Sequence, residues 1–144
     1  MEKIRTELFA ATMNYGLYLH IAETLRANRK VFGRGRTFWG MILDALMTQT
    51  VLTLCRVYDI HHEDKTCSLK ALLKWKKGQN ENVAADLKLI DRSDQAVERL
   101  IDWRDNVLAH TNRNRIIGRK QPVSGKVPKH EDIHSLIDRA LGIV

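Results

Sequence analysis

The chain has 144 residues, enough for one domain with a substantial core, and its 44% hydrophobic and 28% charged content is ordinary for a soluble globular protein. Only two prolines and eight glycines argue against a loop-rich or all-β architecture. A formal charge of +7 points to a polyanionic partner, nucleic acid above all, although the same charge also suits a protein merely kept soluble by it.

The N-terminus, Met-Glu-Lys-Ile-Arg, has no apolar run behind its basic start, so no secretion signal is expected. The first predicted helix runs from about Glu2 to about Arg29. Ile4, Leu8, Ala11, Tyr15, Tyr18, Ala22 and Leu25 alternate spacings of four and three, which puts them on one helical stripe. Gly33-Arg34-Gly35-Arg36 then breaks the pattern. It reads as an interhelical turn, and its two arginines could also touch phosphate.

The second predicted helix spans roughly Thr37 to Ile60. Ile42, Leu46, Thr50, Thr53 and Val57 lie on one face, and Met47, Val51, Leu54 and Tyr58 on another. Apolar residues nearly all round mean burial on two sides, one against the bundle and one against a further helix or a second subunit. Its most hydrophobic run, Phe38 to Cys55, contains Asp44, Gln49 and several threonines, so it reads as a buried helix that falls short of a membrane span. Cys55 lies inside that run and is expected to be a core thiol. With Cys67 it makes no CxxC pair, and two such cysteines without a signal peptide fit a reducing cytoplasm.

His61-His62-Glu63-Asp64-Lys65-Thr66-Cys67 is a polar connector. Its side chains are crowded and no distant second pair has ligand spacing, so a solvated loop is expected rather than a zinc site. Ser68 caps a short helix through Trp75 and the basic Lys74, Lys76 and Lys77, and Gly78 stops it. A second short helical piece covers about Val83 to Ile90.

The next helix starts at Asp91 or Ser93 and runs to about Asn112. Val97, Leu100, Ile101, Val107 and Leu108 share one face at 100° per residue, and Arg104 falls near its centre. A cation on an apolar stripe is unfavourable unless it is paired or used. On an ideal helix His110 lies about 120° round from Arg104 and about 9 Å along, so the two converge only on a shared ligand or across a two-fold axis. The segment that follows, Arg113 to Lys126, is a loop by its Gly and Pro content and has no acidic residue. Lys129 to Leu141 forms a last amphipathic helix with Ile133, Leu136, Ile137 and Ala140 inward. The expected organisation is a single helical domain over residues 1–144, with room for further C-terminal helices.

An imidazole near neutrality is a general acid or base, and a guanidinium holds a phosphate and stabilises developing negative charge. Together they suffice for attack of a ribose 2′-hydroxyl on its neighbouring phosphate, which cleaves RNA without metal or cofactor. Asp105 and Asn106 could orient Arg104, His110 or the ribose. Arg113, Arg115, Arg119 and Lys120 would attract the phosphate backbone. The competing structural reading pairs Arg104 with a carboxylate such as Asp44 or Asp59 and makes His110 a helix-end histidine favoured by the dipole. Arg56 and His61 share the same loose spacing, but apolar Val57 follows Arg56 and His61 lies in a connector.

The run Arg104-Asp-Asn-Val-Leu-Ala-His110, late in an all-helical chain, resembles the signature of HEPN domains: an arginine, usually then a polar residue, and a histidine after four to six intervening positions. Leu54-Cys-Arg-Val-Tyr-Asp59 on the second helix, taken with the later Arg-Asp and Ala-His, is similar to the abortive-infection U-type (Abi) branch. The resemblance implies an all-α, up-and-down bundle of four to five helices, commonly a homodimer with two Arg-His motifs meeting in a cleft. It implies a metal-independent ribonuclease of a toxin–antitoxin or phage-defence system, acting in the cytoplasm on RNA. A cognate antitoxin protein would be a partner, and no membrane would be involved. Carried over, Arg104 binds and polarises the scissile phosphate, His110 transfers the proton and Asp105 supports. The alternative is a non-catalytic HEPN-like module that binds RNA or a nucleotide, or a structural dimerisation domain. Two positions after the histidine, where some HEPN toxins carry a tyrosine modified by a partner nucleotidyltransferase, this chain has Asn112, so control by AMP transfer is not expected.

Overall fold

The structure, a computed structural model, describes residues 2–58, 68–79, 83–91, 93–105 and 128–144. Among them every regular element is helical. In chain order these are α1 (Glu2–Ala27), the single-turn α2 (Arg29–Phe32), a 3₁₀ turn (Gly33–Gly35), α3 (Arg36–Val57), α4 (Leu69–Gly78), α5 (Ala84–Leu89), α6 (Gln95–Trp103) and α7 (His130–Ile143).

Helices α1 and α3 form a long antiparallel hairpin whose turn is the expected Gly-Arg-Gly-Arg segment. Arg56 near the end of α3 reaches Glu7 near the start of α1, with Nη2 3.0 Å from Oε2. The same guanidinium donates to Thr53 Oγ1 at 3.1 Å. Arg56 is thus a surface ion-pair residue, and context separates it from Arg104 as the sequence suggests.

Helix α7 packs against α1, α3 and α6. Its direction is fixed by three contacts. Arg5 Nη2 donates to the Val144 carbonyl at 3.2 Å. Tyr15 Oη donates to the His130 carbonyl at 3.0 Å. Tyr58 Oη donates to the Leu136 carbonyl at 2.7 Å, inside the core. Burial pushes the Tyr58 phenol well above its ordinary value, so it stays a neutral donor.

The core draws on every long helix. Ile4, Leu8, Ala11 and Tyr15 come from α1, Val51, Leu54, Cys55 and Val57 from α3, and Ile133, Leu136, Ile137 and Ala140 from α7. Leu69, Leu72 and Leu73 of α4 complete it, with α4 capped by Ser68, whose Oγ accepts from Ala71 N at 3.4 Å. Gly78 is the last helical residue there. Cys55 is buried, with its thiol 3.7 Å from the Leu100 carbonyl. His61 to Cys67 lies outside the described residues.

Three expectations are corrected. The stripe on α1 continues to Leu25 in sequence, but Ala22 and Leu25 are only half-buried. Likewise α3 is buried on both faces only from Thr50 onward, and Phe38 and Met41 are exposed at 59% and 68%. Among the described residues, α6 and α7 flank only the proximal half of the hairpin. Helix α3 is also long and apolar enough to cross a membrane by length and composition, contrary to the sequence reading.

Candidate active site around Arg104

Helix α6 carries the candidate site, and its N-cap sets its direction. The cap is Asp94 rather than Asp91 or Ser93. Its Oδ1 accepts from Ala96 N at 3.0 Å and from Val97 N at 3.3 Å. A carboxylate wins here because it also serves the tertiary fold: its Oδ2 takes Arg139 Nη1 of α7 at 2.8 Å. Asp91 instead closes a local turn, accepting from Ser93 N at 2.9 Å, and that bond holds its carboxyl below the ordinary range.

From the cap, Ala96, Val97, Leu100 and Ile101 turn into the core. Arg99 lies on the flank facing α7, where Nη1 meets both oxygens of Asp132 at 2.8 Å. Both side chains are largely buried, at 16% and 13% exposure. Burial pushes the Asp132 carboxyl up. The amide of Lys129 and the hydrogen bond and charge of Arg99 outweigh it and leave the group below its usual range.

Arg104 follows Leu100 and Ile101 on the same stripe, as the spacing requires. Its amide donates to the Leu100 and Ile101 carbonyls. At Arg104 and Asp105 the backbone passes into a wider, π-type turn. The ideal-helix projection that sets His110 at about 120° from Arg104 concerns a position outside the described residues. The Arg104 side chain is 27% exposed, and its Nε donates to Oδ1 of Asp105 at 2.7 Å. Asp105 is itself 47% exposed. This pairing is a contact between sequence neighbours. Asp44, one suggested partner, is exposed on α3, and Asp59 lies outside the described residues.

The register of the helices places Arg104 in the bundle. Asp94 meets Arg139, and Arg99 meets Asp132, so α6 and α7 run antiparallel. Five residues further, Arg104 comes level with the entry to α7 at Lys129 and His130. On α3, Cys55 meets Leu100, which puts Arg104 near the level of Val51. At that same end His130 Nδ1 is 3.2 Å from Tyr15 Oη, and the rings of Tyr18 and His130 lie 5.4 Å apart. Tyr15 and His130 border a groove of about 550 Å³ along α7, shared with His134 and Asp138. Sequence reasoning missed His130, since 115 positions separate it from Tyr15 and no local pattern links them.

The structure therefore places Arg104 and Asp105 together. His110, Asn106, Arg113, Arg115, Arg119 and Lys120 lie outside the described residues. Among the described residues no group of three or more His, Cys, Asp or Glu is placed to hold a metal ion.

No curated protein and no solved structure matches this chain significantly. A family model described as AbiU2, of the HEPN superfamily, matches residues 1–144. With its all-helical bundle, the chain belongs to the AbiU2 family of abortive-infection HEPN domains.

Proposed function

We propose that the protein is a metal-independent endoribonuclease of a phage-defence or toxin–antitoxin system. The observation that carries this reading is Arg104: a cation on the core stripe of α6 that stays 27% exposed and whose Nε is held by the adjacent Asp105. The chain that follows it holds His110 and then Arg113, Arg115, Arg119 and Lys120 with no carboxylate among them.

In this mechanism His110 takes the proton from a ribose 2′-hydroxyl. The 2′-oxygen forms a bond to phosphorus while the bond from phosphorus to the 5′-oxygen breaks. The leaving oxygen accepts a proton, and the products are a 2′,3′-cyclic phosphate and a 5′-hydroxyl. Arg104 neutralises the extra charge on the non-bridging oxygens in the transition state. Asp105 fixes the guanidinium, and Asn106 and the basic segment position the backbone. Electrons and protons balance without a cofactor.

A homodimer brings two copies of His110 to one cleft, so that one acts as base and the other as acid. Phe9, Met13 and Leu17 support an assembly of this kind. They recur every four residues on α1 and are 67%, 57% and 48% exposed, a solvent-facing apolar stripe of the sort that subunit contacts cover.

The test is incubation of purified protein with mixed RNA in excess chelator, scoring 2′,3′-cyclic phosphate ends. Wild type is expected to generate them and His110→Ala to lose at least two orders of magnitude in rate, the usual scale for a general acid–base group. Equal rates for the two proteins would refute the assignment.

A further inference from the structure

The tip of the α1–α3 hairpin carries chemistry that the Arg104 site leaves unused. Between Glu23 and Asp44 the sequence has no acidic residue and five basic ones, Arg26, Arg29, Lys30, Arg34 and Arg36. Charge of one sign this concentrated is self-repelling and does nothing for packing. Among the described residues, neither Arg29 nor Arg36 pairs with a carboxylate. Both border a groove of about 590 Å³ whose walls are Leu25, Leu43 and Trp39. That volume lies in the range of small-ligand sites, about 300–1,000 Å³.

The groove is also shaped by the turn. A Cβ on Gly35 would lie 3.2 Å from Cδ1 and Nε1 of Trp39, closer than ordinary contact, so glycine lets the indole lie against the turn backbone. Phe38 meets the same indole edge to face, with centroids 5.3 Å apart. The indole is thus held from two directions beside two arginines.

We propose that this groove is a second contact for single-stranded RNA, in which Trp39 stacks a base and Arg29 and Arg36 take phosphates. The proposal rests on the reading that RNA is the partner. An indole that shares a groove with two arginines suits an unpaired nucleotide, because stacking accepts any base and the cations track the backbone. Convergence of the arginines on a concavity favours a strand that enters it over a flat lipid surface. Along α3 the tip lies about 20 Å from the level of Arg104, a span of several nucleotides, so the two contacts engage separate parts of one strand.

The experiment is fluorescence anisotropy of the full chain with a labelled 2′-O-methyl oligouridylate, which has no attacking hydroxyl and is not cleaved. The double variant Arg29→Glu with Arg36→Glu is expected to bind about tenfold more weakly at physiological salt. Its slope of log K against log salt should be shallower by about 1.4, from two phosphate contacts at about 0.7 each on single strands. Trp39→Leu should weaken binding severalfold and leave the slope unchanged, since stacking is not ionic. Lys77→Glu with Lys88→Glu, an equal charge change on exposed positions of α4 and α5, should leave the slope as in wild type. The proposal is overturned if the tip variant keeps the wild-type slope, or if the control pair lowers it equally. It is also overturned if the tip variant loses only co-sedimentation with phosphatidylserine vesicles. Tip-dependent binding by a protein that never cleaves RNA would refute the nuclease and leave this site standing. Cleavage with unaltered tip binding would do the reverse.

Discussion

Replacing Arg104 by alanine separates a functional arginine from a structural one. Its side chain is 27% exposed and Asp105, which it pairs with, is 47% exposed, so breaking that pair strands no buried charge at Asp105. Exposed pairs of this kind contribute about 0–1 kcal/mol. The lost contacts of the methylene stem add a similar amount, so about 1–2 kcal/mol in all. For a domain of this size that corresponds to a fall in Tm of roughly 3–8 °C. Arg99→Ala is the internal standard. It leaves Asp132 largely buried with the Lys129 amide and charge for compensation, and it should lose about 3–5 kcal/mol. Calorimetric unfolding of the two variants beside wild type gives the stabilities, and the RNA cleavage assay gives the rates. The expected pattern is a modest Tm shift with loss of cleavage for Arg104→Ala. If Arg104→Ala instead unfolds as readily as Arg99→Ala, or retains wild-type cleavage, the reasoning from exposure to function is wrong.

Tyr58→Phe removes the buried hydrogen bond to the Leu136 carbonyl, which keeps its intrahelical partner, so unfolding in urea should show a loss of about 0.5–1.5 kcal/mol with an unchanged m-value. Asp132 gives a pH signature. Its folded carboxyl sits below the unfolded value, so its stabilisation is complete above about pH 3.9 and disappears as pH falls through the folded value. Asp132→Asn should therefore be less stable than wild type at neutral pH, with the gap closing under acid. A gap that persists at low pH would assign the loss to packing rather than to charge. Asp94→Ala frees the first amides of α6 and its tie to Arg139, so it should lower stability by more than the typical cap loss of about 1 kcal/mol. Asp91→Ala, at a solvent-facing turn, should not.

Much of the site's logic is local and was legible without coordinates. The three- and four-residue spacings placed Leu8, Leu54, Leu100 and Leu136 in the core because a helix repeats every 3.6 residues whatever surrounds it. Ser68 and Gly78 bound α4 because capping chemistry acts within one turn. Arg104 stood out for the same reason: a cation at a position that periodicity assigns to the interior. Other features were illegible because they depend on what packs alongside. Asp94 displaced two equally plausible caps only because Arg139, 45 positions later, shares its carboxylate. His130 reached Tyr15 only because α7 runs back along α1.

Sequence alone determined the helices, their inward faces and the resemblance to HEPN domains, since each follows from short-range periodicity or from a contiguous motif. Tertiary structure decided which stretches of those faces are covered. Among the described residues, an apolar stripe that is uniform in sequence is core at one end of the α1–α3 hairpin and exposed at the other. It also decided what holds Arg104. That depends on which carboxylate lies within about 3 Å, and a distance between side chains on folded elements is not written in their spacing along the chain.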